Sequence, residues 1–321
     1  MMEKNIKEVL KKNINEWIES IECPTFKNLA AQHTIVTGGS IVSLVEGKKP
    51  NDIDVYFRNK ETVLKAAEYF AGLWNKNHKG QKNKIDETCR VMVLDGANPS
   101  RELLDYFKIH SIEESKAIMV SSTTPDRVKL IFPSDGVVGG SVELVEDADE
   151  TPVDKVNKDE KANPYDPKFI TSNAVTLYKD IQTIIRFYGE PTEIHETFDF
   201  EHTRGWYDYR EDTLTIPASV YECIINKRLN YTGSKYPVCS LFRIRKFINR
   251  GWHINAGQIL KMAMQISELD LSDPAVLEDQ LVGVDTLYFR ELIDTYQEEK
   301  INNPELNLDA GYVMSLVDRI F

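Results

Sequence analysis

Gly38-Gly39-Ser40-Ile41-Val42-Ser43-Leu44-Val45-Glu46-Gly47-Lys48-Lys49-Pro50-Asn51-Asp52-Ile53-Asp54 joins a glycine turn to a pair of spaced aspartates. Before it, Thr34-Ile35-Val36-Thr37 reads as a short strand. The glycine pair is a tight turn, and Ser40 to Glu46 a helix that Ser40 is placed to cap. Asp52-Ile53-Asp54-Val55-Tyr56-Phe57 then alternates with period 2, so Asp52 and Asp54 share one face of a strand while Ile53 and Val55 share the other. The order is strand, turn, helix, strand.

Working outward, Ile6, Val9, Leu10, Ile14, Trp17 and Ile18 recur at helical spacing and predict an amphipathic helix packed on the core. From Arg58 to about Asp166, helical stretches (Glu61 to Asn75, Arg101 to Lys116) alternate with strand-like ones (Arg90 to Leu94, Val128 to Phe132), as in an elaborated α/β domain. Phe169 to Leu177 and Ile181 to Phe187 predict a hairpin turned at Tyr178-Lys179-Asp180, and Glu193 to Phe198 one helical turn before Asp199. Beyond Pro217 the periodicity is mainly helical: Ala218 to Arg228, Val238 to Asn249, Ala256 to Ile266, Pro274 to Leu281, Asp285 to Glu298 and Asp309 to Ile320. The expected fold class is α+β. A mixed-sheet domain is expected over residues 1–216 and a helical domain over 217–321, and the family resemblance given below implies that 58–168, longer than the family's equivalent stretch, is an inserted lobe.

Composition narrows the function. With 321 residues and 41% hydrophobic content, the chain can bury a substantial core. No apolar run approaches the roughly 20 residues of a membrane span, and Met1-Met2-Glu3-Lys4 opens a charged helix, so the expected location is the cytosol. Cys23, Cys89, Cys223 and Cys239 are scattered without a Cys-x-x-Cys pair and read as buried thiols. The net charge of −12 opposes non-specific attachment to a polyanion, so a nucleic-acid substrate would need a local basic surface. Lys227-Arg228 through Lys235, Arg243, Arg245, Lys246 and Arg250 is the candidate, while acidic residues crowd 143–160, a solvated linker by composition.

Asp-x-Asp on a strand delivers two oxygen ligands from one rigid edge, which suits magnesium. A neighbouring Gly-Gly turn entering a helix lets backbone N–H groups approach a triphosphate with no Cβ in the way. Asp52 and Asp54 are therefore candidate magnesium ligands and catalytic groups, with Gly38, Gly39 and Ser40 as nucleotide-binding residues. Nucleotidyl transfer requires that combination: carboxylates hold divalent ions that stabilise the entering and leaving oxygens at an α-phosphate.

The stretch from Gly38 to Asp54 resembles the head motif of bacterial-type poly(A) polymerases and CCA-adding enzymes, members of the polymerase-β-type nucleotidyltransferase superfamily. Their pattern is Gly-Gly-x-x-Arg-Asp-x-x-x-Gly-x-x-x-x-Asp-x-Asp, and Gly38, Gly39, Gly47, Asp52 and Asp54 fall in register. Val175-Thr176-Leu177 through Phe187 looks like the family's hairpin, Phe198-Asp199-Phe200 through Asp208 like its Arg-Arg-Asp-Phe-Thr-x-Asn-Ala element, and Leu241-Phe242-Arg243-Ile244-Arg245-Lys246-Phe247 like its neck helix. The chain departs from the pattern at Val42-Ser43, which replaces Arg-Asp, at Gln182, where an acidic residue often sits, and at Thr197-Phe198, which replaces Arg-Arg. The collection is also similar to nucleotidyltransferase-like proteins of large bacteriophages.

The resemblance implies a magnesium-dependent transferase that moves a nucleoside monophosphate from NTP to an acceptor hydroxyl, an RNA 3′ end or a protein. Primer-independent synthesis of a nucleotide second messenger, and a catalytically degenerate binding or regulatory module, are the alternatives. Asp199 is the candidate third carboxylate, as metal ligand or base, or else a backbone-capping residue. Arg186 and Arg204 would meet the triphosphate or form ion pairs. Arg243 and Arg245 with Lys246 would face a nucleotide or an RNA backbone, or else solvent. His202 reads as a phosphate contact or a packed core residue, and Trp206, Tyr207 and Tyr209 as base-stacking or core aromatics.

Overall fold

The computed structural model describes residues 2–78, 89–95, 118–120, 126–131, 138–139, 163–171, 173–271, 276 and 280. The acidic linker at 143–160 and the helices expected over Arg101 to Lys116, Asp285 to Glu298 and Asp309 to Ile320 lie outside the described residues, as does most of the one expected over Pro274 to Leu281. The chain forms two compact units. Met1–Val142, Pro152–Glu196 and Thr203–Tyr221 make one, and Glu143–Thr151, Thr197–His202 and Glu222–Phe321 the other.

The first unit is mixed α/β. Helices α1 (Met2–Ser20), α2 (Pro24–His33), α3 (Gly39–Val45), α4 (Lys60–His78) and α5 (Pro191–His195) accompany an eight-stranded sheet. Its strands are β1 (Thr34–Thr37), β2 (Ile53–Phe57), β6 (Val138–Gly139), β7 (Pro167–Ile170), β8 (Ala174–Leu177), β9 (Ile181–Tyr188), β10 (Trp206–Asp208) and β11 (Thr213–Thr215). They run in the order β11-β10-β1-β2-β9-β8-β7-β6. Every described pairing is antiparallel except β2 with β9, which is parallel and makes the sheet mixed. Strands β3 (Arg90–Asp95), β4 (Ile118–Val120) and β5 (Asp126–Ile131) form a second sheet in the order β4-β3-β5.

The core explains these elements. On α1, Ile6, Leu10, Ile14, Trp17 and Ile18 are buried one turn apart, whereas Val9 is 40% exposed and lies outside the stripe. They join Ile53, Val55 and Phe57 from one face of β2 with Val63, Ala66, Ala67, Phe70, Ala71 and Trp74 of α4. Although α4 falls within the segment expected to be an inserted lobe, it is part of this main core. Val91 and Val128 of the second sheet join the same cluster, and Asn75 bonds the Cys89 backbone through both ends of its amide, at 2.8 and 2.7 Å. Burying an amide this way leaves neither end unsatisfied.

The hairpin turned at 178–180 is present, with Val175 opposite Thr183. Its first arm differs from expectation: Phe169 to Leu177 is two strands, because the chain reverses where Thr171 Oγ1 accepts N–H groups from Asn173 and Ala174. In the second unit, α7 (Pro237–Asn249) connects the two strands of a short parallel pair, β12 (Arg228–Leu229) with β13 (His253–Ile254), and α8 (Ala256–Ile266) follows. Helix α6 (Ala218–Ile225) precedes them. Cys89, Cys223 and Cys239 are buried, Cys23 is half-buried, and all four are free thiols.

Candidate active site

Strand β1 ends at Thr37, and Gly38 follows with φ 102° and ψ −149°, a conformation open to glycine and costly for other residues. The need for glycine is also spatial. A Cβ on Gly38 would lie 3.2 Å from Asp54 Oδ2, so the turn backbone and the Asp54 carboxylate are in direct apposition. Gly39 begins α3 and has open space where a Cβ would go. Gly38, not Ser40, occupies the N-cap position of α3, so the expected capping role is corrected: Ser40 lies inside the first turn, 1% exposed. Its Oγ has no hydrogen-bond partner among the described residues.

Because Ile53, Val55 and Phe57 enter the core, Asp54 and Tyr56 point to the opposite face of β2. Asp52 is exposed just before the strand, and Asp54 is half-buried. Their end of β2 is fixed by Ile53 N–H donating to the Asp180 carbonyl at 2.8 Å, in the turn that leads into β9. The parallel register sets Gln182 beside Asp54, and Gln182 Nε2 donates to Thr176 Oγ1 of β8 at 3.1 Å. A neutral amide therefore stands next to the carboxylate, on the strand where the sequence pattern departs from an acid.

Electrostatics single out Asp54. Packing strips water from its carboxylate, and the charge of Asp52 adds repulsion, so its pKa rises far above the carboxylate range. No cation of the described residues compensates it. Two oxygen donors of like charge, one desolvated and facing a turn without a Cβ, fit a divalent ion completed by water or phosphate oxygens. Among the described residues no group of three or more His, Cys, Asp or Glu is placed to hold a metal.

The other expected site residues divide between the units. Arg186 is 7% exposed on β9, where a bulge between its Thr183 and Tyr188 breaks the alternation, and Arg204 lies half-buried in the first unit. Asp199 belongs to the second unit. There its Oδ2 accepts from Arg243 Nη1 at 2.7 Å and from Ser240 Oγ at 3.0 Å, and its backbone carbonyl accepts from Thr232 N–H. Arg245 is exposed on α7. His202 takes the packed-core reading: it is buried against Trp252 and Phe247, and burial pushes its pKa down to about 3. Tyr207 and Tyr209 are likewise structural, with hydroxyls on Asp212 and Asn15.

Two residues near the turn escape a sequence reading. Thr37 is fully buried, and its hydroxyl meets His195 Nε2 at 2.8 Å and the Gly205 carbonyl at 2.7 Å. The place of Thr37 before the glycine pair was a signal; nothing marked His195. A third, Arg58, follows β2 and forms a buried ion pair with Asp208 and a second with Glu190.

Residues 8–138 and 140–227 match the family model described as Gabija anti-defense 2 family protein. The chain belongs to that family. A relative from Bacillus phage SPbetaL7, described as Gabija anti-defense 2, is 20% identical over 118 residues, which cover 36% of this chain and 30% of that relative. Among solved structures, the chain is similar to a Thermotoga maritima CCA-adding enzyme complexed with tRNA and to a CCA-adding enzyme in an apo form, each with TM-score 0.35 and 12% identity. Both similarities cover 92% of this chain and 57% of the other. Among the described residues, no helix of this family member is long and apolar enough to cross a membrane.

Proposed function

We propose that this family member is a magnesium-dependent nucleotidyltransferase that moves a nucleoside monophosphate from NTP to an acceptor hydroxyl, on an RNA 3′ end or a protein, and that the transfer acts against the Gabija system named in the family description. The observation that carries the reading is the Asp54 carboxylate. It is desolvated, repelled by Asp52 and set 3.2 Å from where a Cβ of Gly38 would stand. A desolvated carboxylate with a like charge beside it is costly to ionise unless a cation joins it.

Asp52 and Asp54 would hold the ion, which when bound neutralises phosphate charge and activates the attacking hydroxyl. Gly38 and Gly39 present backbone N–H groups to the phosphates, and Arg186 and Arg204 supply positive charge in the same unit. Helix α3 spans only Gly39–Val45, so the phosphate grip rests on the turn's N–H groups and on these guanidiniums.

Gln182 beside Asp54 favours a second reading, in which the site binds nucleotide with a cation and does not transfer it. Incubation of the purified protein with each labelled NTP, Mg2+, total RNA and cell extract separates the two. Label on RNA or protein that Asp52→Ala and Asp54→Ala abolish supports transfer. Magnesium-dependent NTP binding without labelled product supports the binding module. Neither binding nor product refutes both.

A further inference from the structure

Gly38 has no side chain with which to fix itself, so something else must hold it against Asp54. Thr37 is the residue next to it, and its Oγ1 has three polar neighbours, the Gly205 carbonyl at 2.7 Å, His195 Nε2 at 2.8 Å and, farther off, the Thr203 carbonyl at 3.4 Å. A threonine hydroxyl has one proton, and a carbonyl oxygen can only accept. The Thr37 proton therefore goes to Gly205, and the second bond exists only if His195 Nε2 carries a proton and donates it to Thr37.

The surroundings hold His195 in that role. Burial and the nearby Arg204 guanidinium push its pKa down to about 4, so the ring is neutral at pH 7. Its ring stands edge-on to Trp206 at 5.6 Å, and Trp206 is the cross-strand partner of Thr37 on β10. Helix α5, which ends at His195, is closed by a reciprocal capping box between Glu190 and Glu193. Thr37 is thus gripped from β10 and α5 together, immediately before a glycine with a wide choice of backbone angles.

We propose that His195 and Thr37 are positioning residues: the chain of bonds from His195 Nε2–H to Thr37 Oγ1 and from Thr37 Oγ1–H to Gly205 fixes the Thr37–Gly38 peptide and so sets the gap between Gly38 and Asp54. The inference rests on the reading of Asp52 and Asp54 as a cation site. Outer partners that orient a cation site typically change its affinity by about 10- to 100-fold when removed.

The test uses the full chain with glycine labelled at the amide nitrogen and with threonine, plus in each position-37 variant the residue placed there, labelled at the carbonyl carbon. Thr-Gly pairs occur only at 37–38 and 232–233, so the wild type shows one peak at the turn and one control, and a valine label adds only the Val138-Gly139 and Val282-Gly283 peaks, which the valine-labelled wild type identifies. Thr37→Val, which keeps the shape and removes the hydroxyl, should move the Gly38 peak and leave the Gly233 peak in place. It should also weaken Mn2+, followed by paramagnetic broadening of Gly38, by about tenfold or more. Thr37→Ser and His195→Gln, which restore the hydroxyl and the N–H donor, should stay close to the wild type in both readouts. An unmoved Gly38 peak with unchanged Mn2+ affinity in Thr37→Val overturns the proposal, as does a lowered Tm with neither readout changed. If Thr37→Val does not fold, His195→Phe keeps the ring and is read the same way. Absence of Mn2+ broadening in the wild type defeats the cation reading instead, and the clamp is then decided on the Gly38 shift alone.

Discussion

Alanine at Gly38 and alanine at Gly39 should have opposite effects on stability, although the two glycines are adjacent. At Gly38, φ 102° with ψ −149° lies where a Cβ costs about 1–3 kcal/mol, and that Cβ would also press on Asp54 Oδ2 at 3.2 Å. The combined destabilisation is about 2–3 kcal/mol, which for a unit of this size lowers Tm by roughly 4–12 °C. At Gly39 a Cβ meets nothing within 4 Å, and the residue is helical, so alanine should stabilise by about 0.5–1 kcal/mol. Urea unfolding followed by tryptophan fluorescence, in EDTA at pH 7, gives both values. If the turn backbone meets the triphosphate, Gly39→Ala nevertheless loses nucleotide affinity while gaining stability. A Gly38→Ala protein as stable as the wild type, or equal losses at both positions, would show that the turn does not depend on glycine at 38.

Other perturbations test the charges. Asp54 has a folded pKa above its unfolded value of 3.8, so its ionisation erodes stability as pH rises from about 4. Asp54→Asn should then be more stable than the wild type in EDTA at pH 8, with the gap closing towards pH 4, and Mg2+ should raise the Tm of the wild type alone; a gap that widens as pH falls would count against this. Arg58→Ala leaves the 9%-exposed Asp208 carboxylate without its ion-pair partner and should cost about 3–5 kcal/mol in chemical unfolding, whereas Arg58→Met with Asp208→Leu should recover much of that. His202 is neutral when folded, with a pKa depressed to about 3, so it has no effect on stability above pH 6.5. Below that, the unfolded chain takes up a proton that the folded chain does not, removing about 1.4 kcal/mol per pH unit. His202→Phe should flatten the unfolding free energy between pH 6 and 4 by that slope, and an unchanged slope would show that another group is responsible.

Local pattern was enough to read the order strand, glycine turn, helix, strand from Thr34 to Phe57, because alternation and turn residues report the backbone directly. It also placed Asp54 opposite Ile53 and Val55, and it found α1, whose stripe is buried apart from Val9. Tertiary structure alone decided what the carboxylates meet. The parallel pairing of β2 with β9 sets Gln182 next to Asp54, α5 brings His195 onto Thr37, and Arg243 with Ser240 occupies the Asp199 carboxylate. Each of these contacts joins segments far apart in the chain. Periodicity tells which face of an element is apolar, but not which other element lies across it, and a carboxylate's chemistry is set by that neighbour.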